Sequence, residues 1–123
     1  MRIFKTRHFQ RWVRKTALSD AALRKAVQEM TAGLIDTDLG GGVVKKRIGL
    51  AGRGKRGGAR TLVATNKGNR WFFLFGFEKS ERDNIGGDEL QALQAYAADL
   101  LLLSAAHLDA AVADGALLEI TDD

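Results

Sequence analysis

Residues 43–77, VVKKRIGLAGRGKRGGARTLVATNKGNRWFFLFGF, decide how this chain folds. Val43 to Leu50 alternates imperfectly, with Val44, Ile48 and Leu50 on one face and Lys45 and Arg47 on the other, the period of a strand. Lys46 falls on the apolar side and predicts a place near an edge. A glycine-rich segment, AGRGKRGG, reads as a loop. Ala59 to Thr65 then reads as a second strand, with Arg60, Leu62 and Ala64 sharing a face. Asn66-Lys67-Gly68-Asn69 stands where a hairpin needs its turn. Arg70 to Phe77 is apolar on both faces, the signature of a central strand. Its aromatics are read as core, because stacking platforms for bases alternate with surface positions.

The rest of the chain is read outward from this meander. Arg2 to Lys5 predicts a short edge strand. Phe9, Trp12 and Val13 recur at helical spacing after Thr6 or Arg7. Ser19 is placed as an N-cap, with Asp20 in the first turn. Leu23, Val27, Met30 and Leu34 then form one stripe of an amphipathic helix that Gly33 helps to end. The two helices are expected to pair as a hairpin. Gly40-Gly41-Gly42 marks a break. Downstream, Asp88 reads as the cap of a long helix through Leu101, Asp109 to Asp114 as its extension or a short separate helix, and Ala116 to Ile120 as a last strand. The expected class is α+β: one domain over residues 1–123, a small antiparallel sheet with an N-terminal helical hairpin and a C-terminal helix.

Composition narrows the chemistry. The chain has 123 residues, no cysteine and two histidines, His8 and His107, so thiolate zinc sites and disulfides are excluded and a histidine-built metal or triad site is disfavoured. Both histidines are expected at the surface. Charges interrupt the N-terminal MRIFKTRHFQRW, which argues against a signal peptide, and no apolar run matches a bilayer span. The expectation is a soluble protein of a reducing cytoplasm, with no membrane partner and no cofactor.

Charge is segregated. Residues 1–79 hold 18 of the 19 Lys and Arg but 5 of the 15 Asp and Glu, a net +13, whereas residues 80–123 carry −9. No acidic residue lies between Asp38 and Glu78. Such a patch fits a polyanion, with nucleic acid the commonest large one. Lys45, Arg47 and Arg60 on shared strand faces are hard to explain by solubility, because like charges side by side repel. An anion or an acidic partner relieves that repulsion. GRGKRGG is not a phosphate-binding P-loop: no Ser or Thr follows its Lys and no helix is expected after it.

With these residues in view, GGVVKKRIGLAGRGKRGGARTLVATNKGNRWFFLFGFEKSERDNI, residues 41–85, resembles the core of RelE/ParE-superfamily toxins, in particular the HigB-like RelE branch. The shared features are a K-x-R strand, a glycine-rich basic segment leading to an arginine strand, and an aromatic strand ending in K-x-E, in this order. The resemblance implies an antiparallel sheet with helices packed on one face. It implies a metal-independent endoribonuclease that cuts mRNA, commonly on the ribosome, and is neutralised by an antitoxin. It places catalytic roles on Lys45, Arg47, Arg60 and Lys79, and RNA contacts on Lys55, Arg56, Lys46 and Arg53. Lys45 is the candidate base, Arg47 and Arg60 the phosphate clamp, and Lys79 the stabiliser of the transition state or leaving group. The chain departs from relatives that carry a tyrosine shortly after the last core strand: Gly86 and Gly87 stand there, and the only tyrosine, Tyr96, is expected to pack within a helix. Two other classes fit the charge, a gyrase-directed poison like the ParE branch and a nucleic-acid-binding module without catalysis. The acidic C-terminal segment reads as the solvated side of the last helix, with a fold across the basic face that limits activity as the alternative.

Overall fold

The computed structural model describes residues 1–50 and 54–121, and for residues 54–56 the backbone alone. Six strands form one sheet: β1 (Arg2–Thr6), β2 (Thr37–Gly40), β3 (Val43–Leu50), β4 (Gly54–Thr65), β5 (Arg70–Glu78) and β6 (Leu117–Ile120). Their order is β2-β3-β4-β5-β1-β6. All neighbours pair antiparallel except β1 and β5, which run parallel. The fold is α+β, and the aromatic strand β5 is interior as its two apolar faces require.

Helices cover both faces of this sheet. α1 (Arg7–Val13) and α2 (Asp20–Thr31) bury Phe9, Val13, Leu23 and Val27 with Trp71 and Phe73 on one face. α3 (Gly87–Leu101) and α4 (Ala105–Asp114) bury Ala97, Leu100 and Leu108 with Phe4, Phe72 and Leu74 on the other. Helices on one face alone would have left one of these aromatic rows in water, at a cost of roughly 2 kcal/mol per large side chain.

Local chemistry sets the element ends. Thr6 closes β1 and caps α1: its Oγ1 accepts from the Phe9 N–H at 3.1 Å and donates to the Leu74 carbonyl at 3.3 Å. Ser19 caps α2, accepting from the Ala22 N–H at 3.1 Å. Gly33, at φ +93°, ends that helix, so Leu34 falls beyond the stripe and is exposed. α3 begins two residues earlier than an Asp88 cap implies: Gly86 is its N-cap, and the Glu89 carboxylate accepts the Gly86 N–H at 2.8 Å. Ser104 starts α4 separately, and Gly115 ends it in the left-handed region.

Three placements correct the sequence reading. β1 is interior rather than an edge, because Ile3 and Phe4 each enter a different core and need cover on both sides. β2, a strand of turn-type residues, forms the edge beside β3 through a bulge at Asp38/Gly40. The second half of the glycine-rich segment, residues 54–58, belongs to β4 rather than to a loop. Among the described residues no single helix is long and apolar enough to cross a membrane; α3 and α4 reach that length only together, bent by 114°.

Candidate RNA-binding face

The β3–β4 ladder puts Arg47 opposite Arg60 and Lys45 opposite Leu62. The β4–β5 ladder extends these rows to Phe77 and Phe75. Lys45, Arg47 and Arg60 therefore share the sheet face that carries Leu62 and Phe72, beside α3. Alternation along each strand enforces this, since a slip of one residue would turn every side chain to the other face.

The three cations differ in surroundings. Lys45 is half-buried, and its side chain has no hydrogen bond or ion pair among the described residues. Arg60 is 7% exposed, and its guanidinium donates to the Gly58 carbonyl at 3.4 Å. Arg47 turns to the sheet edge, where its Nε donates to Asp36 Oδ1 at 3.0 Å and its backbone N–H to Asp36 Oδ2 at 2.6 Å. Burial alone would raise the Asp36 carboxyl. The two hydrogen bonds from Arg47 and the nearby charges of Arg47 and Lys46 hold it below its ordinary value. Asp36 is the carboxylate that lets two arginines stand opposite each other, and sequence reasoning missed it: it lies nine residues ahead of Lys45 in a stretch without strand alternation.

Lys79 follows β5, exposed, with its backbone N–H on the Gly58 carbonyl at 3.4 Å, one step past the Ala59–Glu78 pair. It stands at the same end of the sheet as Arg47 and Arg60. Lys46 does not join them. Its side chain enters the opposite face, 3% exposed, with Nζ 2.8 Å from Glu29 on α2 and 2.8 Å from the Leu34 carbonyl. That burial sets it on the face away from Lys45 and Arg60. Arg53 lies outside the described residues, as do the side chains of Lys55 and Arg56.

Arg82 is a further cation at this end. Its guanidinium lies 5.5 Å from the Phe77 ring centroid and 5.9 Å from that of Phe75, and it makes a two-pronged ion pair with Glu89, one arm at 3.0 Å. Hydrogen bonds from Arg82 and from the Gly86 N–H lower the Glu89 carboxyl to about 2. The pair ties the segment after β5 to the start of α3. Tyr96 is 42% exposed rather than packed. With His8, Phe75 and Leu93 it lines an apolar hollow of about 250 Å³, in which the exposed His8 stacks on Phe75 at 5.3 Å. This hollow flanks α3 on the side away from Gln94, Ala97 and Leu101, which meet the β2–β3 turn.

Among the described residues no three His, Asp or Glu side chains converge as metal ligands. The face offers positive charge, a forked guanidinium and an amine. Those groups can hold a phosphate, stabilise added negative charge on it and exchange a proton.

Compared with known families, the chain matches along residues 1–120 the model described as the RelE toxin of the RelE/RelB toxin-antitoxin system. No curated protein matches it.

Proposed function

Because the chain belongs to the RelE toxin family of toxin–antitoxin systems, we propose that it is an endoribonuclease that cuts messenger RNA on the translating ribosome with lysine and arginine side chains and no metal. The observation that carries this reading is the cross-strand pair of Arg47 and Arg60 with Lys45 on the same face. The family implies a protein antitoxin as partner.

RNA supplies the nucleophile, the 2′-hydroxyl next to the scissile phosphate. Its oxygen attacks phosphorus while the P–O5′ bond breaks, giving a 2′,3′-cyclic phosphate and a free 5′-hydroxyl. One proton leaves the 2′-oxygen and one reaches the departing 5′-oxygen. Lys45 is the proton acceptor in this scheme, since it is half-buried and has no carboxylate partner among the described residues. Arg60, held against the sheet, grips the non-bridging oxygens; its forked donors match a phosphate better than an amine does. Arg47 joins that grip by sharing its guanidinium between Asp36 and the incoming phosphate. Lys79, exposed at the strand end, meets the leaving oxygen. Lys55, Arg56 and Arg53 contact the RNA strand on either side of the cut. Positioning and charge stabilisation account for the catalysis without a metal.

The test is cleavage of mRNA in a purified translation reaction by the wild type, Lys45→Ala and Arg60→Ala. The reading expects cuts by the wild type and losses of about 10²-fold or more in each variant. A wild type that cuts no mRNA ends it.

A further inference from the structure

We propose that the outer side of α1 is a second RNA-binding surface, in which Arg7, Arg11 and Arg14 grip the phosphodiester backbone away from the cut. Arg7, Arg11 and Arg14 recur at i, i+4 and i+7, one stripe along the helix. All three are exposed, and none has an ion pair or side-chain hydrogen bond among the described residues. With Gln10, Asp114 and Leu118 they line a hollow of about 430 Å³ between α1 and the β6 end.

Arg11 in the last turn and Arg14 at the C-cap suit the helix dipole, but the first arginine of the row does not. Arg7 opens α1, where the helix dipole disfavours a cation, and no acidic residue in the first turn offsets it. Arg7 and Arg11 repel each other one turn apart. α1 has seven residues, so this cost falls on a short element. A solvated surface needs no such arrangement. An external polyanion relieves both repulsions together.

The position of α1 fits an RNA strand that also reaches the basic face. β4 is antiparallel to β3 and to β5, and β5 is parallel to β1. β1, β3 and β5 therefore point the same way, and α1 leaves β1 at the sheet end where Arg47, Arg60 and Lys79 stand. α1 packs on the opposite sheet face from Lys45 and Arg60, so the RNA strand passes round this sheet end, past Lys79; along the sheet, three strand spacings, about 14 Å, separate β1 from β3. Phosphate contacts position a nucleic acid and need charge in a row rather than an apolar anchor. A protein partner needs a buried anchor side chain, and in this hollow only Leu118, half-buried, is apolar and large. RNA is thus favoured over an acidic protein segment.

The proposal concerns binding and stands apart from the cleavage reading. It is tested on a fully 2′-O-methylated single-stranded RNA, which lacks the nucleophile and stays intact. The dissociation constant is measured against salt for the wild type, for Arg7→Gln/Arg11→Gln/Arg14→Gln, and for Lys67→Gln, a charge removed at the opposite sheet end. Poly-L-glutamate serves as the acidic-polypeptide probe. The triple variant is expected to keep an equal or higher unfolding midpoint and to lower the slope of log affinity against log salt by about 2, three phosphate contacts at roughly 0.7 each. Lys67→Gln should leave the slope close to that of the wild type. An unchanged slope in the triple variant overturns the proposal. If poly-L-glutamate then binds the wild type and not the variant, the surface belongs to an acidic protein segment. A fall of the same size in Lys67→Gln overturns it as well, since the attraction would then be diffuse.

Discussion

Arg47 and Arg60 face each other directly across the β3–β4 ladder, and Arg47 turns to a carboxylate, Asp36, at the sheet edge. Two like charges opposite one another on adjacent strands are destabilising. The arrangement persists because Asp36 draws one guanidinium outward while the other lies against the sheet, its Nη1 on the Gly58 carbonyl.

Arg60 should carry function rather than hold the fold. Arg60→Gln is expected to cut mRNA about 10²-fold or more slowly. Arg60→Lys should recover little, because the amine cannot reproduce the two-pronged grip. Unfolding midpoints of both variants should stay close to that of the wild type. A midpoint well below it would make Arg60 a structural residue.

Lys46 should behave in the opposite way. Removing it leaves the Leu34 carbonyl without its lysine donor and Glu29 without this cation. Lys46→Ala is expected to cost about 2 kcal/mol of stability in denaturant unfolding. Its RNA affinity and salt slope, measured on folded protein, should match the wild type. A reduced slope would return Lys46 to the RNA contacts.

Gly76 tests the packing of α1 on β5. A Cβ there would lie 2.3 Å from the Trp12 ring, so Gly76→Ala is expected to destabilise by about 1–3 kcal/mol. Trp12→Leu in the same chain should recover part of that loss, since it removes the ring edge that the methyl meets. Additive losses in thermal or denaturant unfolding would show that the two residues do not interfere.

Much of this architecture is legible in the chain, and the parts that are not share a physical cause. Alternation marks β3 and β4, a doubly apolar run marks β5, and Ser19, Gly33 and Gly115 punctuate helices where their chemistry requires. These are local signals. The interior position of β1 and the second helical layer depend on pairing with residues some seventy positions away, as in the Arg2–Arg70 and Lys5–Phe73 registers, and no local period encodes that. β2 reads as turn because Thr37-Asp38-Leu39-Gly40 has no alternation to show. On the candidate face, residue type and alternation pick out Lys45, Arg47 and Arg60. Asp36 and Arg82 escape notice because each matters through a partner, Arg47 in one case and Glu89 with two phenylalanines in the other.

The Arg82–Glu89 tie gives a pH dependence with a definite sign. The Glu89 carboxyl sits at about 2 in the folded chain against an ordinary 4.5. A carboxyl lowered on folding adds stability that is complete above its unfolded value and is lost as pH falls toward its folded one. The unfolding midpoint of the wild type should therefore exceed that of Glu89→Gln at neutral pH, and the gap should close between about pH 4.5 and pH 2. The exposed pair makes the gap small and salt-sensitive. A gap independent of pH would mean that the charge on Glu89 adds nothing to stability.

The central claim is that the Lys45–Arg47–Arg60 face cuts RNA through the RNA's own 2′-hydroxyl. The most direct measurement maps the ends of mRNA fragments from a purified translation reaction, then repeats it with a single 2′-O-methyl group at the mapped cut. The account predicts 2′,3′-cyclic phosphate and 5′-hydroxyl ends from the wild type, none from Lys45→Ala/Arg60→Ala, and no cut at the methylated position. Cleavage that survives the methyl group, or that persists in the double variant, would contradict it.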